Sequence, residues 1–363
     1  MKITVKYALL LCLALASGSM AASAQSRFTP SHGEFFRQAW KARGPVTAVL
    51  ATTDRMVRDT KVGLASSYYI KEDGLVHEDF FGPIVTPYTS TAFDFSGIDP
   101  SLNLGKPVSS ELGFIDYLLG NNLQTDAVYY LHGAGFSPSD TLDFYRAKAL
   151  YTAGGLDLAA AAFKKIPVQS RYYEPAVFLG AVCDVYLGDY GAAADLLTGY
   201  DGTHAELRTY ELAAISLLRN DAKAYKFYAQ NFTYRGYAMA EGERTFDRIY
   251  HERFETKSKS PWLAAGLSTL VPGLGKFYTG RYGEGAASFL LTGAFIGFSA
   301  ESWIKNGGSD WRTVLFTTVA ALLHISNIYG SYVSVELYNS YLENAQNETI
   351  VFHIHVPVRS IFR

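Results

Sequence analysis

The C-terminal third of the chain contains two long segments that are almost free of charge. Residues 285–304 include one charged side chain, Glu301, and residues 313–335 include no Lys, Arg, Asp or Glu. An apolar helix of about 20 residues crosses the hydrocarbon layer of a bilayer, which is ~30 Å thick. A polar turn joins the segments, and Trp303 and Trp311 flank it, as amphipathic rings do at a membrane–water interface. The sequence therefore predicts a transmembrane helical hairpin; a hairpin buried in a soluble domain is the alternative.

Residues 1–24 have the pattern of a secretory signal peptide. Lys2 and Lys6 supply the positive start, an apolar run follows, and Ala22-Ser23-Ala24 offers the small residues that signal peptidase requires. Cleavage after Ala24 predicts that the rest of the chain is exported and that the hairpin brings it into contact with membrane lipid. An uncleaved anchor helix is the alternative.

The composition narrows the class of protein. Hydrophobic residues make up 48% of the 363 residues and aromatic residues 15%, which excludes disorder for most of the chain. The formal net charge of −2 gives no reason to expect nucleic acid as a partner. Two cysteines, Cys12 and Cys183, exclude a disulfide framework and a cysteine-rich metal site.

Turn and helix landmarks recur through the middle of the chain. Ala127, Ala160, Ala193 and Ala224 are separated by 33, 33 and 31 residues, and each follows a turn that contains Gly or Asn. A small residue lets the second helix of a pair pack closely on the first. The preceding Gly or Asn takes the left-handed conformation that ends the first helix. The period predicts stacked helix–turn–helix units over residues 108–236, with an unrelated helical bundle as the alternative.

At this period, residues 108–236 resemble tetratricopeptide repeats, most closely at residues 181–197. The resemblance implies a curved scaffold that binds a protein or peptide partner. Aromatic residues dominate the energetics of many protein interfaces. The expected contact residues are therefore aromatic, with packing between helices as the alternative for most of them; they are Tyr145, Tyr151, Tyr173, Tyr186 and Tyr210.

A glycine-rich segment, residues 272–285, precedes the first charge-poor helix. It does not fit a dinucleotide-binding fingerprint, because Tyr278 stands where Gly is needed, nor a P-loop, because Phe277 follows Lys276. Its glycines instead favour tight turns and close helix packing in a membrane. We expect Lys276, Tyr278 and Arg281 to place polar tips in the headgroup layer. Glu284 is expected to pair with Arg281 or Lys276, with an exposed and unpaired Glu284 as the alternative.

Residues 258–342 resemble the TM2 class of small two-helix membrane domains. The resemblance rests on a signature formed by Pro272, Gly273, Gly275, Lys276, Tyr278, Gly280, Arg281 and Gly285; Glu284 stands at a position that the signature leaves open. In bacterial envelope proteins this domain is found behind tetratricopeptide-like repeats. The resemblance implies a bacterial envelope protein that is anchored in a membrane with its repeats in the periplasm, and it implies no reaction.

The remaining segments complete a mainly α chain with a small irregular β-rich N-terminal region. Strands are expected at residues 46–53, 63–70 and 75–85. The alternating apolar residues of 349–358 predict a terminal strand that pairs with one of them. The predicted organisation is a signal peptide (1–24), a β-rich cap (25–107), tetratricopeptide-like repeats (108–236), a linker helix (237–260), the glycine-rich membrane domain (261–342) and a strand-like tail (343–363).

The sequence predicts no enzyme. No serine, cysteine or paired-carboxylate arrangement stands out, and His353 and His355 lack an evident third metal ligand. We therefore expect no cofactor, no metal and no catalytic residue. The expected function is a membrane-tethered periplasmic scaffold; a subunit of an envelope transport or assembly machine, packing through its glycine-rich hairpin, is the alternative.

Overall fold

Helices form most of the chain in the computed structural model, which describes residues 28–59, 70–72, 75–77, 88–98 and 105–362. The mainly α fold class is therefore confirmed. The predicted signal peptide and most of the predicted strands at 63–70 and 75–85 lie outside the described residues. The chain divides into two compact units. The hairpin unit comprises residues 1–84 and 258–342, and the helix-pair unit comprises residues 85–257 and 343–363.

In the hairpin unit, three short strands accompany the helices: β1 (Phe28–Thr29) pairs parallel with β3 (Leu75–His77), which pairs antiparallel with β2 (Ile70–Glu72). The first helix of the chain, α1, covers His32–Arg58. In the helix-pair unit, a 3-10 turn at Val108–Ser110 precedes the first α-helix, and a π turn at His251–Glu255 follows the last one before the chain returns to the hairpin unit. Its helices are α2 (Leu112–Gly120), α3 (Gln124–Gly133), α4 (Asp140–Thr152), α5 (Leu156–Phe163), α6 (Tyr173–Tyr186), α7 (Tyr190–Thr198), α8 (Ala205–Leu218), α9 (Ala222–Ala229) and α10 (Ala240–Tyr250).

The chain then returns to the hairpin unit with α11 (Pro261–Leu270), α12 (Leu274–Tyr278) and α13 (Tyr282–Asn306). The last helix, α14, covers Trp311–Ile361, so its first part belongs to the hairpin unit and residues 343–361 belong to the helix-pair unit. We call residues 343–361 the C-terminal helix segment.

Helices α13 and α14 are both long and apolar enough to cross a membrane. Only 22% of the apolar window in α13 and 33% of that in α14 is buried, whereas a core helix of a soluble protein would be mostly buried. Gly307, at φ 83°, ends α13, and the helices meet near the turn through a hydrogen bond of 2.8 Å between the Ser302 and Thr313 hydroxyls. The exposure of these apolar faces favours lipid as their surroundings.

The predicted strand at residues 46–53 is wrong, because α1 continues through it. Gly44, at φ 83°, and Pro45 mark a kink within α1, and Pro is well tolerated at the start of the helical part that follows. Beyond the kink, α1 buries Ala48, Ala51, Thr52, Arg55 and Arg58, whose spacing of three or four residues is that of one helix face. The β-branched residues suggested a strand, and the charged residues on the buried face concealed the helical period.

In the helix-pair unit, each helix packs against the next one along the chain from α2 to α9. The predicted left-handed turn residues are confirmed: Gly154, Gly188 and Asn220 have φ values of 82°, 79° and 55°. In the first turn Asn122, at φ 59°, takes this role. Each turn also carries the same long backbone hydrogen bond, as from Gly155 N to Leu150 O at 2.8 Å, which satisfies a carbonyl at the helix end.

The predicted terminal strand is also wrong, because the C-terminal helix segment is helical to Ile361. Ile350, Ile354 and Val358 are buried in the core of the helix-pair unit, whereas Phe352 and Val356 are exposed. Residues four apart fit the face of a helix as well as one face of a strand, so the alternating pattern did not distinguish the two. Ile and Val prefer strands, but the burial of these side chains against the other helices of the unit stabilises the helix more than that preference disfavours it.

Candidate functional site

Five tyrosines are predicted from the sequence to contact a partner. Three of them, Tyr151, Tyr186 and Tyr210, contact the C-terminal helix segment of the same chain. The Tyr151 hydroxyl lies 2.8 Å from His355 Nδ1, and the Tyr186 ring lies 6.2 Å from the His355 ring. The Tyr210 hydroxyl donates a hydrogen bond of 3.0 Å to the His353 carbonyl. These three tyrosines therefore hold a helix of this chain, as a binding face would hold a helical ligand.

Contacts along its whole length fix the C-terminal helix segment. At its start, Arg253 donates hydrogen bonds to Gln346 Oε1 at 3.1 Å and to Asn347 Oδ1 at 3.0 Å. Beyond its end, the Phe362 ring stacks on Phe178 with 5.4 Å between the ring centroids. The segment is an integral part of the unit, because its buried residues Ile350, Ile354 and Val358 belong to the main core.

A second segment of the chain, residues 88–98, contacts the ends of α4 and α6 in the same unit. Tyr88 N donates to Tyr186 O at 3.1 Å, and Thr91 N donates to Gly154 O at 2.8 Å. A Cβ on Gly155 would stand 2.7 Å from the Phe93 ring, so this turn needs glycine for the segment to approach. The helix ends thus bind an extended peptide through main-chain hydrogen bonds.

Two adjoining cavities remain open in the helix-pair unit, and together we call them the open groove. The larger cavity has a volume of about 830 Å³ and the smaller one about 640 Å³, sizes that suit ligand binding. Lys148 and Phe362 line both cavities. Tyr151 and Tyr186 line the larger cavity, and Tyr145 and Tyr173 line the smaller one, whereas Tyr210 is buried in the core. The structure therefore brings four of the five predicted contact tyrosines to one groove.

Burial sets the protonation of the groove side chains. It lowers the pKa of the His355 imidazole, and nearby Arg359 lowers it further, so His355 is neutral at pH 7. Burial likewise raises the pKa of the Tyr151 and Tyr186 phenols. A neutral Nδ1 can accept the Tyr151 hydroxyl proton in a hydrogen bond. The imidazole and the two phenols of the groove are thus uncharged, and the charged side chains that line the larger cavity are Asp116, Lys148 and Arg359.

Glu211 on α8 is a buried carboxyl that the sequence analysis missed. It has no exposed surface, and neither carboxylate oxygen has a hydrogen-bond partner in the described part of the chain. Burial raises the pKa of the Glu211 carboxyl well above its ordinary value of 4.5. The sequence contained a sign of this burial, since Glu211 directly precedes a run, Leu212 to Leu218, in which Ser216 is the single polar residue.

Replacing Glu211 with glutamine should flatten the pH dependence of stability of the helix-pair unit. Above about pH 4.5 the unfolded chain releases the Glu211 proton while the folded chain keeps it, so stability falls as pH rises. The slope from one such group is about 1.4 kcal/mol per pH unit until the folded pKa is reached. Glu211→Gln removes this slope and is more stable than the wild type at pH 7.

Urea unfolding at several pH values measures this effect, and the accessibility of buried Cys183 to a thiol reagent reports on the helix-pair unit alone. Cys12 is replaced by serine in all variants. Glu206→Gln, an exposed change on the same helix, should leave the slope as it is. An unchanged slope in Glu211→Gln would contradict a neutral buried carboxyl.

The glycines of the membrane motif make the close contacts that were predicted for them. Gly273, at φ 87°, precedes α12, and a Cβ there would stand 2.1 Å from the Gly285 carbonyl oxygen. A Cβ on Gly275 would stand 2.1 Å from the Ala264 carbonyl oxygen. Gly275 N also donates a hydrogen bond of 2.9 Å to Ser268 on α11, so the motif packs α12 directly on the α11 backbone.

The remaining motif residues support this turn. Pro272 precedes Gly273, and Gly280, at φ 80°, ends the turn that follows α12. The half-buried Tyr278 accepts a hydrogen bond at its hydroxyl from Ser260 N at 3.3 Å, and its carbonyl accepts one from Lys259 Nζ at 3.0 Å. Tyr278 thus ties the start of α11 to the motif.

The expectation that Lys276 and Arg281 extend into the headgroup layer is wrong. Lys276 is 0% exposed and Arg281 is 8% exposed. Lys276 Nζ donates to Asp54 Oδ1 of α1 at 2.6 Å and to the Ser288 hydroxyl at 2.9 Å. Of the alternatives open for Glu284, the structure contains the pair with Arg281, at 3.3 Å. The headgroup assignment failed because the carboxylate partner, Asp54, lies 222 residues away in sequence.

Arg58 joins the pairs described above into one buried ion network. Its members are Asp54, Arg58, Lys276, Arg281 and Glu284. Arg58 Nε lies 2.9 Å from Asp54 Oδ2 and 3.9 Å from Glu284 Oε2. Gly330 on α14 makes room for this network, because a Cβ there would stand 2.1 Å from Asp54 Oδ1. Buried charges are tolerated only when they are paired. The network therefore fixes α1 against the motif and the hairpin helices.

Within the described residues, no group of three or more His, Cys, Asp or Glu side chains could hold a metal ion. No protein-family model, curated protein or solved structure matches this chain.

Proposed function

We propose that this chain is a membrane-tethered periplasmic scaffold that binds a protein or peptide partner through the open groove of its helix-pair unit. The observation that carries the proposal is the groove itself, where four tyrosines line two adjoining cavities of about 830 and 640 Å³. Aromatic side chains in a pocket supply much of the energy of protein interfaces. The proposal places no chemical step at the groove.

Two features of the same unit support peptide binding. The helix ends already hold the extended segment 88–98, and Tyr151, Tyr186 and Tyr210 already hold a helix. Both are parts of this chain, and both use the main-chain and aromatic contacts by which grooves bind peptides. The resemblance to tetratricopeptide repeats agrees with this use of the unit.

The membrane anchor and the compartment rest on other observations. The exposed apolar faces of α13 and α14 support an anchor in lipid. The signal-peptide pattern of residues 1–24 and the resemblance to TM2-like envelope domains support export to the periplasm of a bacterium.

Site-specific photocrosslinking tests the proposal. The photoreactive amino acid p-benzoylphenylalanine replaces Tyr173 in the groove, and in a control it replaces Phe227, an exposed residue of α9 outside the groove. We expect a defined crosslinked partner from position 173 in intact cells and none from position 227. Identical products from both positions, or none, would contradict the proposal.

A third position separates the alternative function from the first. Phe289 on α13 is exposed on the hairpin, and the same photoreactive group there would reach integral membrane subunits. Crosslinks to such subunits from position 289, with none from position 173, would instead support a component of an envelope transport or assembly machine.

A further inference from the structure

A short helical loop packs beside the last helix in the hairpin unit. We call residues 259–278, which contain α11 and α12, the short loop. The Lys259 carbonyl accepts a hydrogen bond of 2.9 Å from Asn339 Nδ2 of α14. Near the end of α11, the Ser268 hydroxyl lies 2.7 Å from the hydroxyl of Ser331. The first half of the short loop therefore runs antiparallel to α14, from the level of residue 339 to the level of residue 331.

The short loop turns back around Gly273, which lies against the Gly285 carbonyl oxygen of α13. On the return, Tyr278 accepts hydrogen bonds from Ser260 N at 3.3 Å and from Lys259 Nζ at 3.0 Å. Both donors belong to the start of the loop. The short loop thus begins and ends at one level of the hairpin unit, and its tip lies at the level of the start of α13.

The tip lies at one end of the two charge-poor segments. Ser331 is near the end of the segment 313–335, and Gly285 begins the segment 285–304. From Trp311, at the other end, α14 rises about 30 Å to Ser331 at ~1.5 Å per residue, which is the thickness of a hydrocarbon layer. In a bilayer that the hairpin spans, the tip therefore lies at the hydrocarbon boundary away from the hairpin turn, and the rest of the loop lies in the headgroup layer.

Small residues form the buried face of α11, and large apolar residues form its exposed face. The buried residues are Ala264, Ala265 and Ser268. A helix of a water-soluble protein buries its large apolar residues, whereas helices in lipid pack on one another through small residues. Residues 260–275 also contain no Lys, Arg, Asp or Glu. The exposed large apolar residues of the loop are Trp262, Leu263, Leu270, Val271 and Leu274.

The turn at the tip satisfies backbone donors within the loop. Val271 N donates a hydrogen bond of 3.0 Å to Leu267 O, and Leu274 N donates one of 3.1 Å to Val271 O. Gly275 N donates to the Ser268 hydroxyl at 2.9 Å. Backbone at the edge of the hydrocarbon layer needs such internal partners, because lipid tails offer none.

Amphipathic side chains lie at the opposite end of the short loop from its tip. The Trp262 and Tyr332 rings are 5.2 Å apart between centroids, and Lys259 Nζ lies 4.2 Å from the centre of the Tyr338 ring. Tryptophan and tyrosine favour the headgroup layer, and lysine places its charge there while its stem packs on apolar surface. The polarity of the loop thus changes in the direction that insertion from the headgroup layer requires.

We propose that the short loop inserts into a single leaflet of the bilayer without crossing it. Leu270, Val271 and Leu274 contact acyl chains, and Trp262 lies among the headgroups. Lipid is the occupant of this exposed face because the face carries no charge and lies where the charge-poor segments of α13 and α14 meet the headgroup layer. The inference rests on the proposed function, since it needs the hairpin in a membrane, and it adds a third lipid-facing element.

Depth-dependent fluorescence quenching tests the insertion. The full chain is reconstituted in vesicles of dioleoylphosphatidylcholine that contain a doxyl-labelled lipid, with the quencher near the headgroup or near the end of the acyl chain. Iodide is the quencher in water. The fluorophore NBD is attached to one introduced cysteine, and buried Cys183 stays unlabelled while the protein is folded. Cys12 is replaced by serine, and the four variants are Leu270→Cys, Trp262→Cys, Ile296→Cys and Phe227→Cys.

At position 270 we expect the shallow lipid quencher to be at least twofold more effective than the deep one. Iodide should be at least fivefold less effective there than at position 227, which is exposed on α9 outside the hairpin unit. Lipid should quench position 262 at least twofold less than position 270, because position 262 lies nearer the headgroups. Position 296, near the middle of the apolar segment of α13, should be quenched more by the deep quencher.

Three results would overturn the insertion. They are iodide quenching at position 270 equal to that at position 227, deeper quenching at 270 that indicates a third crossing, and equal lipid quenching at 262 and 270, which indicates a helix flat in the headgroup layer. Position 296 separates this inference from the proposed function. Lipid quenching at 296 with iodide quenching at 270 rejects the insertion and leaves the anchor, whereas no lipid quenching at 296 contradicts the anchor itself.

Discussion

Asp54→Ala is expected to destabilise the hairpin unit by about 3–5 kcal/mol, the usual cost of leaving a buried charge without its partner. The substitution leaves the Lys276 ammonium, which has 0% exposure, with the Ser288 hydroxyl as its remaining hydrogen-bond partner. Arg58 keeps Glu284 within 3.9 Å. The double variant Asp54→Ala with Lys276→Met removes both members of the pair and should recover much of the loss.

Tryptophan fluorescence during unfolding in detergent measures this effect. All four tryptophans, Trp40, Trp262, Trp303 and Trp311, belong to the hairpin unit, so the signal reports on that unit alone. Glu301→Ala is the matched control, because it removes the carboxylate of the exposed pair with Lys305 and should cause no measurable change. If the double variant is less stable than Asp54→Ala, the unpaired Lys276 ammonium is not the cause of the loss.

Ile354→Ala is expected to destabilise the helix-pair unit by about 2–5 kcal/mol, the usual cost of truncating a buried isoleucine. Ile354 is 1% exposed and lies in the main core of this unit, within the C-terminal helix segment. Loss of its packing weakens the segment that Tyr151 and Tyr210 hold. Phe352→Ala is the control on the same segment, because its side chain is 63% exposed.

Thiol accessibility of Cys183 in urea measures this second effect. Cys183 is fully buried on α6, and with Cys12 replaced by serine it is the only cysteine of the chain. Ile354→Ala should lower the urea midpoint for labelling, whereas Phe352→Ala should leave it near that of the wild type. Equal midpoints for the two variants would show that the C-terminal helix segment is not part of the core.

Local signals in the sequence were sufficient for the helix-pair turns and the hairpin. Gly154, Gly188 and Asn220 stand at left-handed positions that few other residues tolerate, and together with Asn122 they mark where the first helix of each pair ends. The charge-poor segments likewise mark α13 and the first part of α14 by composition.

Two segments were predicted as strands and are helical, because their residue patterns fit both a strand and a helix. Ile350, Ile354 and Val358 lie on one face in a strand and in a helix, and the β-branched residues between Pro45 and Thr53 favoured a strand that the structure does not contain. In both segments, packing against other helices determined the outcome, and a single sequence does not reveal packing partners.

The open groove and the buried ion network also differ in how far the sequence could predict them. The tyrosines of the groove were identifiable because they lie in the predicted helical repeats and aromatic side chains are favoured at protein interfaces. The ion network was not, because Asp54 and Lys276 are brought together by folding across 222 residues. Arginine and lysine in the glycine-rich segment suggested the headgroup layer, because the carboxylate that pairs with Lys276, Asp54, lies on α1 and not within the segment.

Membrane extraction of the full-length protein tests the central claim most directly. The chain is expressed with residues 1–24 in place, and membranes are washed at alkaline pH without detergent. An anchor formed by α13 and α14 predicts that the protein stays in the membrane pellet and is released only by detergent. Folded protein in the aqueous fraction, with Cys183 still protected and no detergent present, would contradict the membrane anchor and the scaffold proposed here.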